Sequence, residues 1–256
     1  MAVKGGSRFG PLPVLAGLLV VAGGVGLFRG GAPEAVDGRC EADPAACATD
    51  VTASQTQSAL TPAPVLEQRT ACRNVGYLCA ELAHMDRVQL RRWKDFSGTI
   101  VVYVPRPDFE SSGDAAQLQE AAARGLRAWN GQPFQILTDL RGDRSPMFAV
   151  RWTRALSGNQ IGVARTQWSP QTGLQVVAIE LSTRNPYDPS RLNDSRQIQL
   201  TAAHEMGHAL GLPHSGSERD VMYPSNTATS LSAQDYRSME ALYELEDGTE
   251  IVRGGS

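Results

Sequence analysis

Histidine is scarce in this chain, with four in 256 residues, and aromatic side chains make up only 6% of it. Basic runs are missing and the formal net charge is -3, so nothing provides the electrostatic footprint of a nucleic-acid binder, and no such partner is expected. No internal repeat is evident. Long hydrophobic runs are limited to residues 12–28, a stretch of 17 uncharged residues that contains four glycines and sits at the short limit for a membrane span. Lys4 and Arg8 precede it, Arg29 follows it and no acid appears before Glu34, which is the pattern of an export signal. Neither Ala32, which precedes Pro33, nor Ala35 has the small-residue pattern of a cleavage site. Residues 1–32 are therefore read either as a signal peptide or as an uncleaved anchor. Any membrane association is expected only through them, and the remainder is expected to be secreted or extracytoplasmic. The 41% hydrophobic content can build a core for one domain of moderate size.

Cysteine is limited to four residues, Cys40, Cys47, Cys72 and Cys79, in two pairs seven apart. An even count in an exported chain fits an oxidising compartment, and two local disulfides are the simplest of three connectivities. Zinc binding by the cysteines is the alternative, although neither pair has the tighter spacing of a zinc knuckle. Residues 49–64 are small, polar and proline-ended, which reads as a linker.

Three of the four histidines fall together, in His204-Glu205-Met206-Gly207-His208-Ala209-Leu210-Gly211-Leu212-Pro213-His214. On a helix, His204 and His208 project from one face and can share one ion. Catalytic zinc takes three protein ligands and keeps a position for water, so a third must come from outside the helix. Gly211 can end the helix and Pro213 cannot continue it, which turns the chain back and makes His214 the third ligand. Glu205, one residue round from His204, is placed to act on a zinc-bound water as a general base. Background frequencies put the chance of these five positions on the order of one chain of this length in 10⁵. His84 has no partner pattern around it and reads as an ordinary surface residue.

The histidine motif resembles that of the metzincin metalloendopeptidases. Within them, His214-Ser215 followed by Asp220-Val221-Met222-Tyr223-Pro224 is similar to the matrixins, the family that includes matrix metalloproteinases. The resemblance implies an α+β catalytic domain over residues 96–246, with a mixed, twisted five-stranded sheet, two long helices above it and a C-terminal helix after the Met-turn. It also implies that Met222 is the Met-turn methionine, an apolar floor beneath the ligands. Activity as a zinc endopeptidase on protein or peptide substrates follows, with the substrate extended along residues 163–165. Pro224 stands where some metzincins have a tyrosine, so Tyr223 is given no role at the metal. Arg39-Cys40 resembles the Arg-Cys of the matrixin latency switch, but Glu41 replaces its glycine. Many matrixins hold a second zinc through three further histidines; this region has none, so one zinc ion is expected, and no spacing supports calcium. Specificity is expected to depend on the wall at residues 224–231. A zinc-containing binding or adhesion module without turnover is the second reading, against which the intact Glu205 argues. Nothing in the chain sets the oligomeric state.

Residues 33–95 are expected to be linker and a cysteine-containing segment, with removal as a pro-segment left open and a short helix allowed over 81–93. A buried strand is expected over 100–104, ended by Pro105. Asp114 is the expected cap of a helix whose core stripe is Leu118, Ala122, Leu126 and Trp129. Strands follow at 134–137, 147–152, 162–166 and 174–181, and Asp194 or Ser195 caps the histidine helix. Ser232 with Asp235 starts a last helix with Tyr236, Met239, Leu242 and Tyr243 on its apolar face. Residues 247–256 read as a tail.

Overall fold

The computed structural model describes residues 63–67, 72, 75–94, 98–131 and 133–253; the export segment, Arg39, Cys40, Cys47 and most of the expected linker lie outside the described residues. Along the chain run β1 (Val65–Glu67), β2 (Arg87–Gln89), β3 (Gly98–Tyr103), α1 (Ser112–Arg127), β4 (Phe134–Asp139), β5 (Phe148–Thr153), β6 (Gly162–Ser169) and β7 (Gly173–Ser182). They are followed by β8 (Arg184–Asn185), β9 (Asp188–Leu192), α2 (Ser195–Ala209), α3 (Ala233–Glu244) and β10 (Glu250–Val252). Among the described residues no helix is long and apolar enough to cross a membrane.

The α+β fold class is the one expected. Five strands form a sheet in the order β4-β3-β5-β7-β6. β3 pairs parallel with both β4 and β5, β5 pairs parallel with β7, and β6 closes one edge antiparallel to β7. Ile100 and Val102 on the inner strand β3 and Ile136 on the edge strand β4 are fully buried, because both strands turn β-branched side chains into the core. The stripe Leu118, Ala122, Leu126 and Trp129 is buried as its helical spacing requires. α1 and α2 approach so closely at Gly125 that a Cβ there would lie 2.1 Å from the Gln199 carbonyl oxygen.

Local signals placed the helix starts to within a few residues. Ser111, not Asp114, caps α1; its hydroxyl accepts from the Asp114 N–H, and Asp114 is the acid of the first turn. Asp194 caps α2, and Ser232 with Asp235 forms the expected reciprocal capping box on α3. Tyr236 departs from the expected apolar face: it is 40% exposed, with its ring edge-on to Trp129 and its hydroxyl donating to the Ala128 carbonyl.

The larger difference lies at the two ends. The helix allowed over 81–93 is only a 3-10 turn at Ala80–Ala83, after which the chain extends into β2. The cause is long-range pairing: β10 lies between β1 and β2, parallel to the first and antiparallel to the second. Residues 247–256, read as a tail, thus contain the middle strand of a second sheet. Cys72 and Cys79 form the expected local disulfide. Val75, Leu78, Leu82, Val88, Leu90 and Trp93 are buried in the same core as the five-stranded sheet.

Ile251 has no exposed surface, and its strand partners Leu66 and Val88 both come from the N-terminal end of the described chain. Ile251→Ala is expected to cost about 2–5 kcal/mol in urea unfolding, the range for deleting a buried aliphatic side chain. A dispensable tail would show no shift.

Candidate metal centre

The geometry begins with how α2 ends. Its last turn leaves carbonyls without helical partners, and each is met. Leu210 N–H donates to Met206, Leu212 N–H to Gly207 at 2.9 Å and Gly211 N–H to His208 at 3.0 Å. The last two bonds make a Schellman reversal, with Gly211 in the left-handed region at φ 101°. The Trp93 indole N–H donates to Ala209 at 2.7 Å, and the Tyr243 hydroxyl donates to Leu210 at 2.8 Å. A side chain on Gly211 would be strained, and would also meet the Arg91 carbonyl oxygen at 2.1 Å.

This reversal brings His204, His208 and His214 together. His208 Nε2 lies 3.1 Å from His204 Nε2 and 3.1 Å from His214 Nε2. All three ligand atoms fall within 4.8 Å of one another, close enough to hold a metal ion. Tetrahedral zinc with Zn–N bonds of about 2.0–2.1 Å separates its ligands by roughly 3.3 Å, so the donor set fits that ion. The supports fix the tautomers. His204 Nδ1 sits 2.7 Å from the Val221 carbonyl and His208 Nδ1 sits 2.8 Å from the Leu212 carbonyl. Carbonyls only accept, so each Nδ1 carries the hydrogen and each Nε2 turns a lone pair to the common centre.

Burial keeps these imidazoles neutral. It lowers His204 to about 4, opposed by the Val221 bond, with His214 lowering it further. His208 is held well below its ordinary value by burial and by the other two rings, and His214 is lowered by burial. Glu205, 7% exposed, is pushed up to about 8 by the same desolvation, while a backbone bond from Ala164 on β6 pulls the other way. Its side chain lies against the β6 edge, where a Cβ on Gly162 would meet Glu205 Cγ at 2.7 Å.

Met222 is fully buried against α2. A Cβ on Gly207 would lie 2.2 Å from its sulfur, so glycine in the last turn of α2 makes room for the methionine. One residue earlier, Val221 donates its N–H to Asp235 Oδ2 at 2.9 Å while its carbonyl holds His204. Asp235 has no exposure, and also accepts from the Ser232 N–H at 2.8 Å, the Met222 N–H at 3.4 Å and the Tyr77 hydroxyl at 3.0 Å. Met222 returns its carbonyl to the N–H of Ser215, the residue after His214, at 2.8 Å. The Ser215 and Ser232 hydroxyls both donate to Asp220.

The structure brings the expected His204, His208 and His214 together, with Gly211 at the turn, while Asp235, Trp93 and Tyr77 join them as supports that the motif does not mark. Asp235 was legible only as a helix cap; no local signal marked the other two. The wall after the Met-turn carries one more cross-link, from the Asn226 amide to the Thr201 hydroxyl on α2 at 2.7 Å.

In protein stripped by a chelator, these depressed histidines predict an acid-side loss of stability. Between about 6.5 and about 4 the unfolded chain binds protons that folded His204 refuses, so stability falls as pH drops through that window and is flat above it with respect to this group. His204 alone accounts for on the order of 3 kcal/mol at the acid end. Glu205, raised to about 8, works in the opposite sense between about 8 and about 4.5, so urea unfolding of the metal-free Glu205→Gln protein at pH 7.5 and pH 5 checks this; equal midpoints there would contradict neutral, depressed rings at His204 and His208.

A family model described as Matrixin matches residues 116–244, just over half of the chain. Human (Homo sapiens) matrix metalloproteinase-26 is 43% identical over 57 residues, 20% of this chain and 22% of that protein. Macrophage metalloelastase of Rattus norvegicus is 46% identical over 50 residues, covering 17% of this chain and 10% of its own length. The chain thus spans 22% or less of the length of these curated relatives. With the family model covering β4 to α3 and both histidine supports, the chain belongs to the matrixin family.

Proposed function

We propose that this chain is an exported zinc endopeptidase, with one zinc ion held by His204, His208 and His214 and with Glu205 as general base. The observation that carries this reading is the convergence of three histidine Nε2 atoms beside a buried carboxyl group. Zinc in such a site lowers the pKa of a water and polarises a carbonyl. Glu205 takes the water proton as oxygen attacks the scissile carbon, and passes it to the amine nitrogen as the C–N bond breaks. The exposed edge of β6 supports an extended substrate at residues 163–165, because its free side can pair with a peptide main chain. The wall at residues 224–231, tied to α2 through Asn226 and Thr201, is the natural determinant of side-chain preference. Export is supported by the Cys72–Cys79 disulfide, which persists in oxidising compartments.

Glu205 bears on turnover rather than on metal retention, and this separates a peptidase from a silent zinc module. Glu205→Ala is expected to lower peptide cleavage by at least about 10²-fold, as for loss of a general base, with zinc content unchanged. Casein or peptide-library cleavage and metal analysis on the same preparations test it. Equal cleavage by both proteins would remove Glu205 from the mechanism; a zinc-loaded wild type that cleaves nothing would favour the binding module.

A further inference from the structure

The segment before the five-stranded sheet touches the supports of all three histidines. From residues 75–77, the Tyr77 hydroxyl donates to Asp235, whose other oxygen takes the Val221 N–H, and the Val221 carbonyl holds His204. That carboxylate also takes the Met222 N–H, and Met222 holds Ser215 next to His214. From residues 91–93, the Trp93 indole caps Ala209 and the Arg91 carbonyl lies against Gly211, the residue that turns the chain toward Leu212 and so orients His208. The seat of Tyr77 is closely fitted. Its N–H donates to Ser238 Oγ at 3.1 Å, and Gly76, at φ 60°, admits that hydroxyl where any Cβ would stand 2.0 Å from it.

A removable inhibitory segment covers a site and leaves a complete domain behind. Here the segment lies under the site, supplies core side chains and completes a sheet around β10. We propose that residues 63–94 are a permanent clasp of the working enzyme, and that Tyr77 is a positioning residue that holds His204 in its metal-binding orientation through Asp235 and Val221. The Tyr77 hydroxyl completes the set of donors around a carboxylate closed off from water, and so limits the settings available to the Val221 peptide. Without it Asp235 keeps its backbone partners but loses the one that ties it to the N-terminal segment. The Cys72–Cys79 disulfide closes the loop that carries Tyr77. The inference rests on the zinc-peptidase reading of the same centre.

The two roles for this segment predict opposite signs. In the zinc-loaded full chain, Tyr77→Phe is expected to speed zinc transfer to an excess of chelator by about tenfold, the scale of losing a support behind a metal ligand, and to lower peptide cleavage. Circular dichroism at the same temperature should be unchanged. Should Tyr77→Phe fail to fold, Ser238→Ala, which loosens the seat while leaving the hydroxyl, is expected to move zinc release in the same direction. N-terminal sequencing of the active form should find a start before residue 63. Unchanged zinc release, cleavage that rises on Tyr77→Phe, or an active form that begins after residue 94 would each overturn the clasp. Wild type that holds no zinc would overturn the metal site and the clasp together, whereas zinc-loaded wild type with an insensitive Tyr77→Phe overturns the clasp alone.

Discussion

Three imidazole nitrogens aimed at one point repel one another, and the rest of this structure is arranged to hold them there. The His204 and His208 lone pairs, 3.1 Å apart, gain nothing from facing each other, and burial denies them water. Rotating a ring outward would relieve the clash, so each support must resist rotation. For His204 and His208 that support is a backbone carbonyl accepting from Nδ1, and a carbonyl is as stiff as the turn that contains it. The Schellman reversal at Gly211 stiffens one turn and Asp235 stiffens the other.

A carboxylate with no exposure is costly unless its lone pairs are filled. Asp235 fills them with groups from three places: the N-cap of its own helix, two N–H groups of the Met-turn and a hydroxyl from the segment before the sheet. Desolvation thereby becomes specificity, because moving any of the three pieces leaves a buried charge short of a donor. The same logic recurs at Glu110, nearly buried, which accepts from the Thr183 hydroxyl and from Arg184 and pins the loop before α1 to the far end of β7.

What was legible in the chain follows the range of each interaction. His204 and His208 four apart, the glycine turn to His214, the Ser232–Asp235 cap and the buried stripe of α1 rest on contacts within a few residues, which spacing reveals. The strand order of the five-stranded sheet was reached by family resemblance, because strand order leaves no local periodicity, and neither does a sulfur packed on Gly207. Trp93 donates across 116 residues and Tyr77 across 158, and neither differs in sequence from any other core aromatic. The helix allowed over 81–93 failed for the same cause: residues 87–89 have a partner in β10, and pairing with a strand more than 150 residues away overrides weak local preference.

A site assembled this way carries its ordering cost in folding rather than in metal binding. Were the histidines on a loose loop, an ion would have to freeze three side chains and their backbone, and affinity would be lowered by that entropy. Here every carbonyl of the last turn of α2 from Met206 to Leu210 already has a donor, and the Met-turn is held from below. A metal ion arriving at such a centre relieves lone-pair repulsion without ordering the chain. The supports are therefore where tuning of metal affinity should be sought, and two of them, Trp93 and Tyr77, come from a stretch of chain that no ligand motif marks.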